Sequence, residues 1–180
     1  VAGVEFQFRG ANEEQEQSAA FLIQAFALAM ALMAILLVTQ FNSYYQALLI
    51  LSSVLLSTAG VFLGLLTTGQ TFSVMLTGIG IVALAGIIVN NNIVLIDTFN
   101  VLKRDHPNWS LEEVIVHTGV QRLRPVFLTT FTTGFGLLPL AIGVSFDLLG
   151  AEIEIGGPIA SQWTGLASTI VFGLSFATIL

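Results

Sequence analysis

The sequence predicts an all-α protein built as a polytopic bundle of about five membrane-spanning helices. Hydrophobic residues make up 55% of its 180 residues, charged residues make up only 9%, and the mean hydropathy is +0.91. A typical soluble domain has about 25% charged residues, so this chain could not cover a soluble surface with polar groups. Its uncharged runs are long enough to cross a hydrocarbon core of ~30 Å, which takes ~20 helical residues.

Composition also limits the chemistry. Cysteine is absent, which excludes disulfides and thiolate metal sites, and two histidines, His106 and His117, are too few to indicate a metal centre. The sequence contains no phosphate-binding glycine loop with lysine, no nucleophile elbow, no HExxH motif and no paired carboxylates within a span. We therefore expect no enzyme, no cofactor and no nucleic-acid partner.

Residues 1–17 are polar and acidic and form a lead-in to the membrane region, residues 18–180. Val4–Arg9 alternates apolar and polar residues, which is typical of a short strand, and a frayed end is the alternative. Residues 12–17 resemble the acidic first turn of a helix. Because the chain begins with valine and ends inside an apolar run, we expect it to be a piece of a larger protein.

Apolar runs predict the spans at residues 18–39, 47–66, 72–100, 125–144 and 159–180. The second span is rich in small residues, including Gly60 and Gly64, which favour close helix packing more than a specific dimer. Pro125 is expected to begin the fourth span and Pro139 to kink it. Residues 145–158 are expected to form an external loop.

The loop at residues 101–124 is expected to contain a short amphipathic helix lying at the membrane surface. Ser110 is a good N-cap, and Glu112 and Glu113 suit the first turn. The apolar edge of this helix would consist of Leu111, Val114, Ile115 and Val120.

Basic residues give the orientation of the chain. Four of the five lie in the 101–124 loop, namely Lys103, Arg104, Arg122 and Arg124. The positive-inside rule therefore places this loop in the cytoplasm. The acidic start of the chain and the acidic segment 147–154 then lie on the opposite side of the membrane.

The third span carries three consecutive amides, Asn90, Asn91 and Asn92, followed by Asp97. An amide in hydrocarbon costs several kcal/mol unless it is hydrogen-bonded. Asn90 and Asp97 are seven residues apart and share a helix face with Gly86 and Ala83. This polar face is expected to meet other helices. Two interpretations are open: the amides connect helices, or they take part in an ion or proton pathway, while Asp97 also fits a solvated interface charge.

Arg122 and Thr129 are also seven residues apart, so the two could line one track on the fourth span. The simple interpretation of Arg122 is a cytoplasmic anchor of the positive-inside kind. The functional interpretation is a cation near the wet end of a proton path.

Four ordered segments, Gly86–Asp97, Ser110–Glu113, Arg122–Thr130 and Gly134–Pro139, resemble the C-terminal membrane half of resistance-nodulation-division (RND) efflux transporters of the hydrophobe/amphiphile, acriflavin-resistance-like type. The resemblance implies that the helices are spans 8–12 of a twelve-span protomer and that residues 1–17 end a periplasmic domain. It further implies a lipid-embedded homotrimer in the bacterial inner membrane, paired with the N-terminal half of the same transporter. A periplasmic adaptor and an outer-membrane channel are further partners. Such proteins export drugs or other amphiphiles by proton antiport.

The resemblance also implies an ion-relay set of Asn90, Asn91, Asp97, Arg122 and Thr129. Asn90 occupies the position of a family lysine that pairs with aspartates in the N-terminal half, Arg122 matches an arginine near the cytoplasmic proton exit, and Thr129 matches a threonine that faces the relay. An amide cannot alternate its charge, so the titrating group must come from the other half or from Asp97. Proton and sodium coupling both stay open. The alternative functions are a protein-export helper, a lipid- or sterol-related module, or a structural subunit.

Overall fold

The computed structural model describes residues 11–147 and 152–180. Its helices confirm the predicted all-α class, and the predicted strand at Val4–Arg9 lies outside the described residues. The elements in chain order are α1 (Ala11–Phe41), α2 (Tyr44–Thr68), α3 (Val74–Asp105), α4 (Leu111–Ala141), β1 (Val144–Asp147), β2 (Glu152–Ile155) and α5 (Pro158–Ile179).

Three helices of the described chain are long and apolar enough to cross a membrane: Gln15–Phe41, Tyr44–Thr68 and Val74–Asp105. They correspond to the first three predicted spans. Helix α5 contains a shorter apolar stretch, Trp163–Ile179. That α4 and α5 cross as the fourth and fifth spans stays a prediction, as does the domain division between residues 17 and 18.

Local capping sets the helix ends. Ser73 accepts a hydrogen bond from the Leu76 backbone N–H, so α3 begins at Val74 rather than at the predicted residue 72. Gly69 ends α2 with a φ of +66°, a left-handed conformation that glycine adopts without strain. Ser110 and Glu113 form the reciprocal capping box expected at the start of α4.

The prediction of a separate surface helix before Pro125 is wrong. Helix α4 runs without a break through Pro125. Its contact face repeats every four residues: Val114 and Thr118 are buried, and Arg122 bonds to α3. This continuous face holds α4 in one piece, whereas Pro125 only removes the hydrogen bond that the Gln121 carbonyl would accept.

The proposed apolar edge of that helix is wrong too. Of its four residues only Val114 is buried against the rest of the protein. Leu111, Ile115 and Val120 are 58%, 54% and 69% exposed.

The expected external loop at residues 145–158 is instead mostly a β-hairpin. Strands β1 and β2 are antiparallel, with Val144 opposite Ile155 and Asp147 opposite Glu152. Gly143 and Gly156 have φ values of +74° and +81° at the base of the hairpin, where the Gly156 N–H donates to the Gly143 carbonyl at 2.8 Å. The period-two alternation of residues 152–155 was a strand signal that the sequence interpretation missed.

Helix α5 forms the centre of the bundle and packs against α2, α3 and α4. Gly60 and Gly64 of α2 lie directly against the rings of Phe176 and Phe172. Gly173 of α5 lies against Leu84 of α3 in the same way. Small residues on α2 therefore serve helix packing, as their pattern predicted.

Replacing Gly60 with alanine should destabilise the bundle, because the new Cβ would overlap the Cβ and Cγ atoms of Phe176, which cannot rotate away. Overpacking of this kind costs about 1–3 kcal/mol, although alanine favours a helix over glycine. Thermal unfolding of the purified transporter in detergent would measure the loss. Gly119→Ala is the matched control, because its Cβ meets no atom within 4 Å; equal melting of the two variants would contradict the close packing.

Candidate functional site

The polar face of α3 is left uncovered by the other described elements. Ala83, Gly86, Asn90 and Asp97 are all exposed, and they follow the seven-residue spacing that places them on one face. Asp97 forms no hydrogen bond or ion pair with any residue in the described part of the chain. In a membrane such a face needs a protein partner or water.

Four of the five predicted relay residues lie around one cavity. Asn90 and Asn91 of α3 and Arg122 and Thr129 of α4 line a space of about 160 Å³ between the two helices. Asp97 does not line it. The structure thus groups two amides, a guanidinium and a hydroxyl on the same side of the bundle.

Arg122 is held in place by a residue that the sequence interpretation did not select. Its Nε donates a hydrogen bond to Thr98 Oγ1 at 2.5 Å, and the Thr98 hydroxyl donates in turn to the Val94 carbonyl at 2.8 Å. Thr98 is only 6% exposed, so the arginine is bonded at a dry contact between α3 and α4. The available signal was spacing, since Thr98 lies seven residues after Asn91 and shares its face.

Thr129 presents an acceptor to this cavity. Its hydroxyl donates to the Val126 carbonyl at 2.9 Å. The single hydroxyl proton is therefore occupied, and the oxygen lone pairs are what it offers to a neighbour.

A second cavity, of about 290 Å³, lies on the inner side of the amides. Its polar lining includes Asn91, Asn92, Ser53 and Thr178, so Asn91 contributes to both cavities. The sequence interpretation left Asn92 out of the site. None of the three amides, Asn90, Asn91 or Asn92, forms a side-chain hydrogen bond with another described residue.

Other polar residues connect the helices instead. Gln46 of α2 and Asn100 of α3 form a reciprocal amide pair, with N···O distances of 2.8 and 3.0 Å. Thr130 of α4 and Thr178 of α5 are hydrogen-bonded at 2.8 Å. Within the described chain the helix-connecting role that was open for the three amides belongs to these pairs.

The arrangement defines a membrane helix bundle with a polar, unsatisfied face, as in a transporter subdomain. Residues 1–179 match the family model described as the AcrB/AcrD/AcrF family. The chain is 34% identical over 152 residues to the swarming motility protein SwrC of Bacillus subtilis, covering 84% of this chain and 13% of SwrC. It is 31% identical over 182 residues to the multidrug resistance protein MdtC of Pectobacterium carotovorum, covering 97% of this chain and 17% of MdtC.

The fold is similar to that in the crystal structure of a heavy metal efflux pump, with a TM-score of 0.72 and 28% identity over 98% of this chain and 16% of the pump. The chain therefore belongs to the AcrB/AcrD/AcrF family of RND efflux transporters. It spans 13–17% of the length of the two relatives named above.

Thr98→Val should weaken the contact between α3 and α4, because it removes the acceptor of the Arg122 Nε–H at a buried position. A hydrogen bond to a charged group is worth about 1.5–3 kcal/mol, so we expect a loss of this order in the free energy of unfolding. Thr98→Ser keeps the hydroxyl and is the control. In a double-mutant cycle with Arg122→Leu the two losses should not add; additive losses would show that the bond is not formed.

Proposed function

We propose that this chain supplies half of the ion relay of a secondary exporter in the bacterial inner membrane. The observation that carries the proposal is the cavity lined by Asn90, Asn91, Arg122 and Thr129, together with the lack of partners for its amides among the described residues. Half-buried amides in a membrane retain this arrangement only if another group satisfies them.

In the proposed mechanism, carboxylates of the N-terminal half of the transporter pack on the polar face of α3. When a carboxylate is ionised, it accepts hydrogen bonds from the side-chain NH₂ groups of Asn90 and Asn91; when protonated, it donates one to an amide oxygen instead. This reversal changes the preferred separation of the helices. Arg122, held by Thr98, provides positive charge at the cytoplasmic end of the path.

Helix α1 is the proposed route from the membrane to the periplasmic region. It is one helix from Ala11 to Phe41, so movement of the bundle can reach its acidic start. Asp97 is proposed as an additional acidic group on the same face as Asn90, in contact with the cytoplasmic end of the partner half.

The names of the relatives support an exporter and differ in what they transport. One relative is named for multidrug resistance, another for swarming motility, and the solved neighbour for heavy metal efflux. We propose drugs or other amphiphiles as the substrates and protons as the coupling ion, with sodium as the alternative. We further propose that the transporter catalyses no chemical reaction and works as a homotrimer with a periplasmic adaptor and an outer-membrane channel.

Asn90→Leu should reduce efflux at least tenfold in the full-length transporter, because leucine cannot bond to either state of the partner carboxylate. Efflux of a fluorescent amphiphile from cells with equal transporter levels measures the effect. Gln24→Leu is the matched control, since it removes an exposed amide from α1, away from the cavity. Normal efflux by Asn90→Leu would remove Asn90 from the relay.

A second measurement identifies the coupling ion. In vesicles containing the full-length transporter, dissipating the proton gradient should stop transport, whereas dissipating the sodium gradient should not. The opposite pattern would replace the proton by sodium.

A further inference from the structure

An apolar groove opens on the surface at the other side of α3. It has a volume of about 630 Å³, in the usual range of about 300–1,000 Å³ for small-molecule sites. The start of α2, the last turns of α3 and the first turns of α4 form its walls. Its main apolar lining residues are Tyr45, Leu49, Phe99, Leu111 and Ile115.

Most polar groups at the groove are already bonded within the protein. Gln46 lines it, but its amide is paired with Asn100. Thr118 also lines it, and its hydroxyl donates to the Val114 carbonyl at 2.7 Å. The walls therefore do not require a polar ligand.

Lys103 is the exception. Its side chain lines the groove, with Nζ 5.9 Å from the centroid of the Phe99 ring. No carboxylate of the described residues forms an ion pair with it. The groove therefore combines apolar walls with one cation that has no anionic partner in the described chain.

The groove does not face the surface assigned to the other half of the transporter. At 100° per residue, Phe99 and Lys103 lie on the side of α3 opposite Asn90 and Asp97. A partner that covers the polar face therefore leaves this side to lipid. Lys103, Tyr45 and the neighbouring basic residues also mark the level of the cytoplasmic headgroups.

We propose that the groove binds an anionic phospholipid of the cytoplasmic leaflet, with an acyl chain between α2, α3 and α4 and the phosphate paired with the Lys103 ammonium. The pairing supplies the missing anion, and the chain covers apolar side chains such as Leu111 and Ile115. This site is separate from the relay and is independent of Asn90 and its partners. It depends only on this end of the bundle lying at the cytoplasmic membrane surface.

The test measures lipid binding to the purified full-length transporter by native mass spectrometry, after titration with dioleoyl phosphatidylglycerol or dioleoyl phosphatidylcholine. Wild-type protein should retain phosphatidylglycerol in preference to phosphatidylcholine. Lys103→Gln should lower that preference about fivefold, as expected for one lysine near a membrane surface. Arg104→Gln is the control, because Arg104 is paired with Asp105 and does not line the groove.

A second variant tests the groove itself. Gly119 lines the groove and a Cβ there meets no atom within 4 Å, so Gly119→Leu fills the space without overlap and favours the helix. It should displace bound lipid, whereas Val120→Leu on the neighbouring exposed position should not.

Several results would overturn the proposal: no retained lipid in wild-type protein, equal retention of the two lipids, an equal effect of Lys103→Gln and Arg104→Gln, or unchanged binding by Gly119→Leu. Because efflux is a separate measurement, failure here leaves the relay standing, and an inactive Asn90→Leu transporter should bind lipid normally.

Discussion

A side-chain amide at membrane depth must find a hydrogen-bonding partner, and this requirement organises the bundle. Water is scarce in the hydrocarbon core, so an amide that faces lipid costs several kcal/mol. The protein meets this requirement in two ways. Gln46 and Asn100 satisfy each other across α2 and α3, while Asn90, Asn91 and Asn92 have no such partner in the described chain.

This difference separates structure from function in the bundle. A satisfied pair such as Gln46–Asn100 fixes two helices relative to each other and has nothing left to exchange. The three amides line cavities and keep their donors and acceptors available. Arg122 combines the two roles, because one of its nitrogens is bonded to Thr98 while the group as a whole borders the cavity.

Much of the fold could be predicted because the hydrophobic spans of a membrane protein are long and unambiguous. The first three spans and the Ser110 cap are read directly from composition and capping rules. Pro125 misled the interpretation of α4, since a proline that usually marks a helix start is tolerated here inside a helix held by its contacts with α3. The hairpin was missed because two four-residue strands give only a weak alternation.

The site could be predicted in part for a related reason. Periodicity places Asn90 with Asp97 and Arg122 with Thr129, because both pairs lie within a single helix. It cannot show which face of α3 meets α4, so Thr98 and Asn92 were not selected. Contacts between residues far apart in sequence, such as Arg122 with Thr98, depend on the rotation of each helix about its own axis, and the pattern of one helix does not fix that rotation.

The unbroken course of α4 has a mechanical consequence. A helix of 31 residues is a rod about 46 Å long at ~1.5 Å per residue, and it is fastened to α3 near its middle, at Arg122. A small tilt about that fastening would swing its two ends in opposite directions, like a seesaw on its pivot. A change in the relay cavity could then be felt at the same moment in the cytoplasm and at the hairpin on the far side.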